Sequence, residues 1–248
     1  MKITNSVALV TGANRGIGRA FVAELLERGA SKIYVAARDT ASLKELLSAH
    51  DSRLVALPLD VTDPDQVAAA AAVATDVTLL INNAGQAAFE GAISAPGMDD
   101  ARREMEVNYF GTLAMTRAFT PTLEKARGSG VINMLSMLAL VSLPMAGTYA
   151  ASKAATLSLT RSVRAELAAQ GTQVVGVLAV QTETELGGKL PEPRMTPQEV
   201  VKDALDAIEA GVNDEIVAGN QSRGVHQAFL ADPKGLQAKM STRLPQRA

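Results

Sequence analysis

The stretch that most limits how this chain can fold is SVALVTGANRGIG (Ser6–Gly18). An apolar, β-branched run feeds without a spacer into TGANRGIG, with glycines at 12, 16 and 18, and a helical pattern follows from Ile17 to Arg28. Glycine reaches backbone conformations closed to other residues, so this density of it lets a strand reverse tightly and enter a helix at once. Such a helix leaves its first N–H groups free at the turn, where an anion such as a pyrophosphate can be held. The spacing is G-x-x-x-G-x-G rather than the widespread G-x-G-x-x-G. A plain turn could use the same residues, so the reading depends on what surrounds it.

What surrounds it is a regular alternation. Ser6–Thr11, Lys32–Ala37, Arg53–Leu59, Val77–Asn82, Gly130–Ser136 and Gln173–Ala179 read as strands, with EIVA (Glu215–Ala218) as a seventh. Several are apolar almost throughout, which predicts strands covered on both faces of a parallel sheet. Helical patterns lie between them over Ile17–Arg28, Ser42–Ala49, Pro64–Ala74, Asp99–Lys125 and Thr148–Ala169. Thr196, Pro197 and Glu199 form an N-cap, a first-turn proline and a capping box for a helix reaching about Ala210. A last helix is expected over about 221–231. The fold class is therefore α/β: a doubly wound parallel sheet of about seven strands with helices on both faces and a ligand crevice at the strands' C-terminal ends. With no linker-like stretch and no repeat, residues 1–248 are expected to form one domain.

Composition removes whole classes of function. There is no cysteine, which excludes disulfides, thiolate catalysis and Cys-ligated zinc. His50 and His226 have no partner at ligand spacing, so no metal is expected. A formal charge of −2 gives no electrostatic reason to expect nucleic acid or an anionic membrane as partner. No apolar run approaches a signal-peptide core or a transmembrane span, so a cytoplasmic location is expected.

The crevice has its own residues. Gly12, Asn14, Arg15, Gly16, Ile17 and Gly18 are the candidates for holding a dinucleotide's phosphates. After the second strand, where an acid would bind an NAD ribose, the chain reads Ala36-Ala37-Arg38, with Asp39 only afterwards. Arg38 and Arg15 suit the 2′-phosphate of NADP(H), although two solvated surface charges would look the same. In LDVTD, Asp60 and Val61 would lie beside the adenine; Asp60 could equally cap a turn and Asp63 the next helix. In NNAG (Asn82–Gly85), Asn83 can tie strand ends together while Ala84 and Gly85 leave room for a ribose.

The last element is chemical. Tyr149 and Lys153 stand at i and i+4 in TYAASKAATLSLTRS, neighbours on one helical face, in a chain with only three tyrosines. A nearby ammonium favours the phenolate, so Lys153 is expected to lower the Tyr149 pKa and make it a usable proton donor. Ser136, at the end of the fifth strand, can donate to a carbonyl oxygen where charge builds.

Taken in order, TGANRGIG, NNAG, the Asn108 of VNYFG, Ser136 and the Y-x-x-x-K pair resemble the short-chain dehydrogenase/reductase family. The resemblance runs from the first strand to the sixth and implies a Rossmann fold and a nicotinamide cofactor. It also implies a catalytic tetrad of Asn108, Ser136, Tyr149 and Lys153, with Asn108 holding a relay water. Arg15 with Arg38 is similar to the carbonyl-reductase type, implying NADP(H) in preference to NAD(H). The expected activity is NADPH-dependent reduction of ketones or aldehydes; the alternative is a dinucleotide sensor without turnover. Halohydrin dehalogenases share the fold but have Arg at the Lys153 position and lack the glycine loop, so that branch is excluded.

Two regions depart from the family pattern. After the sixth strand VLAVQTETEL (Val177–Leu186) lacks the usual Pro-Gly turn. Thr184 is expected to meet the nicotinamide carboxamide, with Thr182 as the alternative, and Val180 and Gln181 to shape the substrate pocket. Met137, Leu138 and Met145 would add apolar walls suited to hydrophobic carbonyl substrates. Met134, Phe89 and Phe110 read mostly as core. The short segment to Pro197 reads as a lid over an open pocket. The C-terminus runs on as helix rather than as the family's tetramer-building tail, which argues against the usual tetramer and leaves a homodimer through the long Asp99–Lys125 and Thr148–Ala169 helices and a monomer both open.

Overall fold

The computed structural model describes residues 1–48, 52–126, 128–187 and 192–245. Among them, seven parallel strands form one sheet: β1 (Val7–Thr11), β2 (Lys32–Ala37), β3 (Leu54–Pro58), β4 (Leu79–Asn82), β5 (Gly130–Met134), β6 (Gln173–Leu178) and β7 (Glu215–Val217). Their order is β3-β2-β1-β4-β5-β6-β7. The chain reverses direction of travel between β1 and β4, and that switch point opens the crevice where ligands of doubly wound sheets bind.

Nine α-helices cover the sheet among the described residues: α1 (Gly16–Glu27), α2 (Lys44–Ser48), α3 (Pro64–Val73), α4 (Asp99–Met105), α5 (Thr112–Lys125), α6 (Gly147–Leu167), α7 (Pro197–Glu209), α8 (Asn220–Ala231) and α9 (Pro233–Ser241). Strand side chains alternate between the two faces. On one face Ala8, Val10, Ile33, Val35 and Ile81 pack against Phe21, Val22 and Leu25 of α1 and Val201, Leu205 and Ile208 of α7. On the other, Leu9, Tyr34, Leu80 and Val131 pack against α3, α5 and α6 through Val67, Phe119 and Val163. Burial on both sides explains the unbroken apolar runs.

Local chemistry sets the helix starts. Asp63 caps α3 by accepting from the Asp65 and Gln66 N–H groups. The capping box of α7 is present in both directions: Glu199 N–H donates to Thr196 Oγ1 and Thr196 N–H to Glu199 Oε2.

Three expectations change. The long helix over Asp99–Lys125 is interrupted by a wide π-type turn at Glu106–Gly111, which contains Asn108. The helix over Ser42–Ala49 begins as a 3-10 turn (Thr40–Leu43), because Asp39 caps it by accepting from Ala41 N–H at 2.8 Å; Ala49 and His50 lie outside the described residues. Of the lid segment, Gly188–Pro191 also lie outside them. Phe110 is 47% exposed rather than core, packing edge-on against Tyr109 on the outside of the wide turn. His226, on α8, stacks near Phe229. No helix among the described residues is long and apolar enough to cross a membrane.

Candidate active site

A continuous cleft of about 1460 Å³ runs across the C-terminal ends of the strands. It is lined by Gly12, Asn14, Arg15, Gly16, Ile17, Arg38, Asp60, Val61, Asn83, Ala84, Gly85, Ser136, Met137, Leu138, Met145, Tyr149, Lys153, Val180, Gln181 and Thr184. Of the residues singled out in the sequence, Gly18 and Asn108 alone sit behind this surface, and both hold it in shape.

The glycine loop is a backbone cradle. Gly12 and Gly16 have φ of +64° and +53°. A methyl group on Gly18 would come 2.1 Å from Gly12 O, and one on Gly16 would come 3.0 Å from Thr184 Cγ2. The N-terminus of α1 has no side-chain cap, so its first N–H groups are left for an anion. Asn83 locks the loop from below: its Nδ2 donates to Thr11 O at 2.9 Å and Gly12 O at 3.2 Å. These features fit a dinucleotide's pyrophosphate.

The charges nearby are already partly committed. Arg15 is ion-paired with Glu185 across the cleft. Asp39 spends a carboxylate oxygen on its 3-10 cap, leaving Arg38 as the cation after β2 that lines the cleft. Asp60 makes the local turn the sequence allowed, accepting from Thr62 N–H at 3.0 Å and Thr62 Oγ1 at 2.7 Å. Thr184 Oγ1 accepts from Gly187 N–H at 2.9 Å, whereas Thr182 is 5% exposed and tied into a bridge with Met195. Gln181 Nε2 donates to Pro193 O at 3.2 Å.

Ser136, Tyr149 and Lys153 converge at the centre. Lys153 is 5% exposed, and its Nζ donates to Met134 O at 2.8 Å while lying 5.9 Å from the Tyr149 ring centroid. Ser136 Oγ accepts from Leu138 N–H at 3.1 Å. Tyr149 keeps part of its ring surface accessible, but its hydroxyl end is desolvated. Burial pushes the phenol up to about 12, a hydrogen bond with Ser136 draws it back down, and the Glu104 carboxylate pushes it further up. Burial pulls Lys153 down to about 8. The Tyr149 phenol is thus raised rather than lowered in the chain itself: desolvation is the largest cause, and the Lys153 ammonium is directed to the Met134 carbonyl.

Asn108 is 1% exposed and fully engaged. Its Nδ2 donates to Gln86 O at 2.9 Å and Ser152 Oγ at 2.8 Å, and its Oδ1 accepts from Gln86 N–H at 2.9 Å. The hydroxyls of Thr112 and Thr156 donate to its carbonyl oxygen at 2.8 and 3.0 Å. A second polar chain crosses the core below: Asn82 Nδ2 donates to Thr116 Oγ1 and to Asn133 Oδ1, and Asn133 Nδ2 donates to Thr160 Oγ1.

Nothing in the sequence points to Glu104, and Phe89, expected in the core, lines the cleft instead. Glu104 has no exposed surface; its Oε1 accepts from Ala88 N–H at 2.8 Å, and its Oε2 has no hydrogen-bond partner among the described residues. The neighbouring Phe89 is held at φ +57° with its ring 6.0 Å from that of Tyr149. Within DDARREME a glutamate reads as surface charge, and only the folding of the 86–89 loop over it reveals otherwise.

The model of the family described as short chain dehydrogenase matches residues 6–194, so this chain belongs to the short-chain dehydrogenase/reductase family and is a member of an oxidoreductase family that binds nicotinamide cofactors. A solved short chain dehydrogenase from Burkholderia cenocepacia, in complex with NADP, is 42% identical, with a TM-score of 0.90 over 97% of this chain and 99% of that one. NADPH-bound carbonyl reductase from chicken fatty liver is 29% identical, with a TM-score of 0.78 over 86% and 92%. Among curated proteins, dehydrogenase/reductase SDR family member 7B of Mus musculus is 32% identical over 176 residues, 66% of this chain and 54% of its own length. The chain therefore spans about half the length of that relative.

Proposed function

We propose that this chain is an NADPH-dependent reductase of ketones or aldehydes, running in reverse as an alcohol dehydrogenase. The observation that carries this reading is the convergence of Ser136, Tyr149 and Lys153 at one point of a cleft whose other end is the glycine cradle. A bound nicotinamide dinucleotide supplies or accepts the hydride. The cradle and the α1 N-terminus would hold its pyrophosphate, Arg38 a 2′-phosphate, and Thr184 the carboxamide.

The remaining chemistry belongs to the side chains. With its phenol pushed up to about 12, Tyr149 holds its proton throughout the neutral range and is a loaded donor for a developing alkoxide. Ser136 Oγ accepts from Leu138 N–H, which leaves its O–H as a donor that can pass from the Tyr149 oxygen to a carbonyl oxygen as charge builds there. Lys153 supplies the positive charge that offsets the tyrosinate left behind. Asn108 joins the Gln86 loop to Ser152, the residue before Lys153, and so positions the lysine. A methyl on Gly85 would lie 3.4 Å from Asn108 Oδ1 and 3.8 Å from Lys153 Nζ, so both flank the gap where a relay water belongs. Met137, Leu138, Met145, Val180 and Phe89 line the cleft and favour apolar carbonyl substrates.

The test is NADPH and NADH oxidation across a panel of aryl ketones and aldehydes, with Tyr149→Phe as control. NADPH oxidation is expected, lowered about 10³-fold in the variant while NADPH binding persists. NADPH binding without turnover across the panel would instead indicate a sensor. Equal rates with NADH would remove Arg38 from its assigned role.

A further inference from the structure

The substrate end of the cleft has a wall that lies outside the family match over residues 6–194. Helix α9 has no fully buried residue; Leu236 and Met240 are half-buried, so apolar packing is only part of what holds it. A polar clamp does the rest. The Ser142 N–H donates to Gln237 Oε1 at 2.9 Å, and Gln237 Nε2 donates to Ser142 O at 3.0 Å. Ser142 lies on the loop that joins Ser136 to Tyr149, so α9 is fastened to the segment carrying the proton donor. The chain beyond α9 is seated as well: a methyl on Gly91 would come 2.6 Å from Pro245 Cγ.

This docking brings two side chains into the cleft. Met240, one turn after Gln237 on the same helical face, and Arg243 line it together with Leu143 and Met145. Arg243 has no ion-pair partner among the described residues, whereas Arg15 is taken by Glu185 and Glu192 by Arg194. An unpaired guanidinium at the rim of an apolar pocket selects by charge.

We infer that α9 is the specificity wall of this site: Met240 and Arg243 meet the part of the substrate remote from its carbonyl, and favoured substrates carry a carboxylate there. The inference rests on the reductase reading above. Its test is an aryl ketone bearing a carboxylate at the end of its alkyl chain, run against the methyl ester of the same compound with NADPH. The wild-type protein is expected to favour the acid roughly tenfold in kcat/KM, the scale of one charge-assisted hydrogen bond. R243Q should lose that preference through KM for the acid, leaving the ester's kinetics, NADPH binding and the melting temperature unchanged. R243E should reverse it. Equal use of acid and ester, or a preference that survives R243Q, overturns the inference and leaves the reductase reading standing. Turnover of neither compound, while other ketones of the panel are reduced, overturns the inference alone; silence across the whole panel by a protein that binds NADPH overturns both.

Discussion

The two ends of the cleft are built by different means. At the glycine loop the shape is backbone, and each position is fixed by contacts that leave no room for a side chain, as at Gly18 and Gly16. At the α9 end the shape is side chain, fixed by hydrogen bonds between residues 95 apart in sequence. The first kind of construction tolerates no substitution and serves a ligand that does not change. The second can be rewritten one residue at a time.

This contrast can be tested. The largest effect is expected from Gly18→Ala, whose methyl would meet Gly12 O at 2.1 Å and Asn83 Nδ2 at 2.6 Å. Overpacking against backbone should cost about 2 kcal/mol or more and abolish NADPH binding, read by thermal melting and by NADPH fluorescence titration. A variant that binds normally would show the cradle to be more pliable than its geometry indicates.

Lys153→Met probes the junction of the two ends. The folded-state pKa of about 8 lies below the ordinary 10.5, so the fold disfavours the charged lysine. Below about pH 8 both folded and unfolded chains hold the proton and the penalty is complete, roughly 3 kcal/mol. Between 8 and 10.5 the unfolded chain binds more protons, so wild-type stability rises with pH across that window. Losing the hydrogen bond to Met134 O returns about 1 kcal/mol of the gain. Lys153→Met should therefore be inactive yet melt higher at pH 7, with the advantage shrinking toward pH 10. A variant less stable than the wild type at pH 7 would contradict this.

The smallest effect belongs to Gln237→Leu. Three exposed hydrogen bonds are lost, two to Ser142 and one to Ser241 Oγ, for about 1 kcal/mol, and NADPH affinity should not move. KM for the carbonyl substrate should rise several-fold, since Met240 and Arg243 lose their anchor. If NADPH affinity falls as well, the two ends are coupled and the contrast fails.

The same division explains what could be read from the chain. Strand positions, the α7 capping box and the glycine cradle all depend on short-range rules, and the residues show them directly. The wide turn at Glu106–Gly111 escaped because one added residue per turn is invisible over six positions of an otherwise helical pattern. Helix α9 escaped because PKGLQAKMS offers only Leu236 and Met240 as an apolar face, and its clamp of Gln237 on Ser142 joins residues far apart in the chain. Glu104 escaped because its burial is decided by a loop that closes over it. The pKa of Tyr149 went the other way from expectation because spacing places a lysine nearby without saying where its ammonium points.

The polar chain from Thr116 through Asn82 and Asn133 to Thr160 has one more consequence. Asn82 and Asn133 are direct partners across β4 and β5. Had either strand slipped by one residue, an amide would face an isoleucine or a methionine, and the amide donors of the asparagines would lose their acceptors on the helices in a dry interior. The apolar residues of these strands are interchangeable enough to accept several alignments. The two asparagines accept one. They act as a key cut into the centre of the sheet, and because Met134, which holds Lys153, follows Asn133 directly, the alignment they select also sets where the Lys153 ammonium stands.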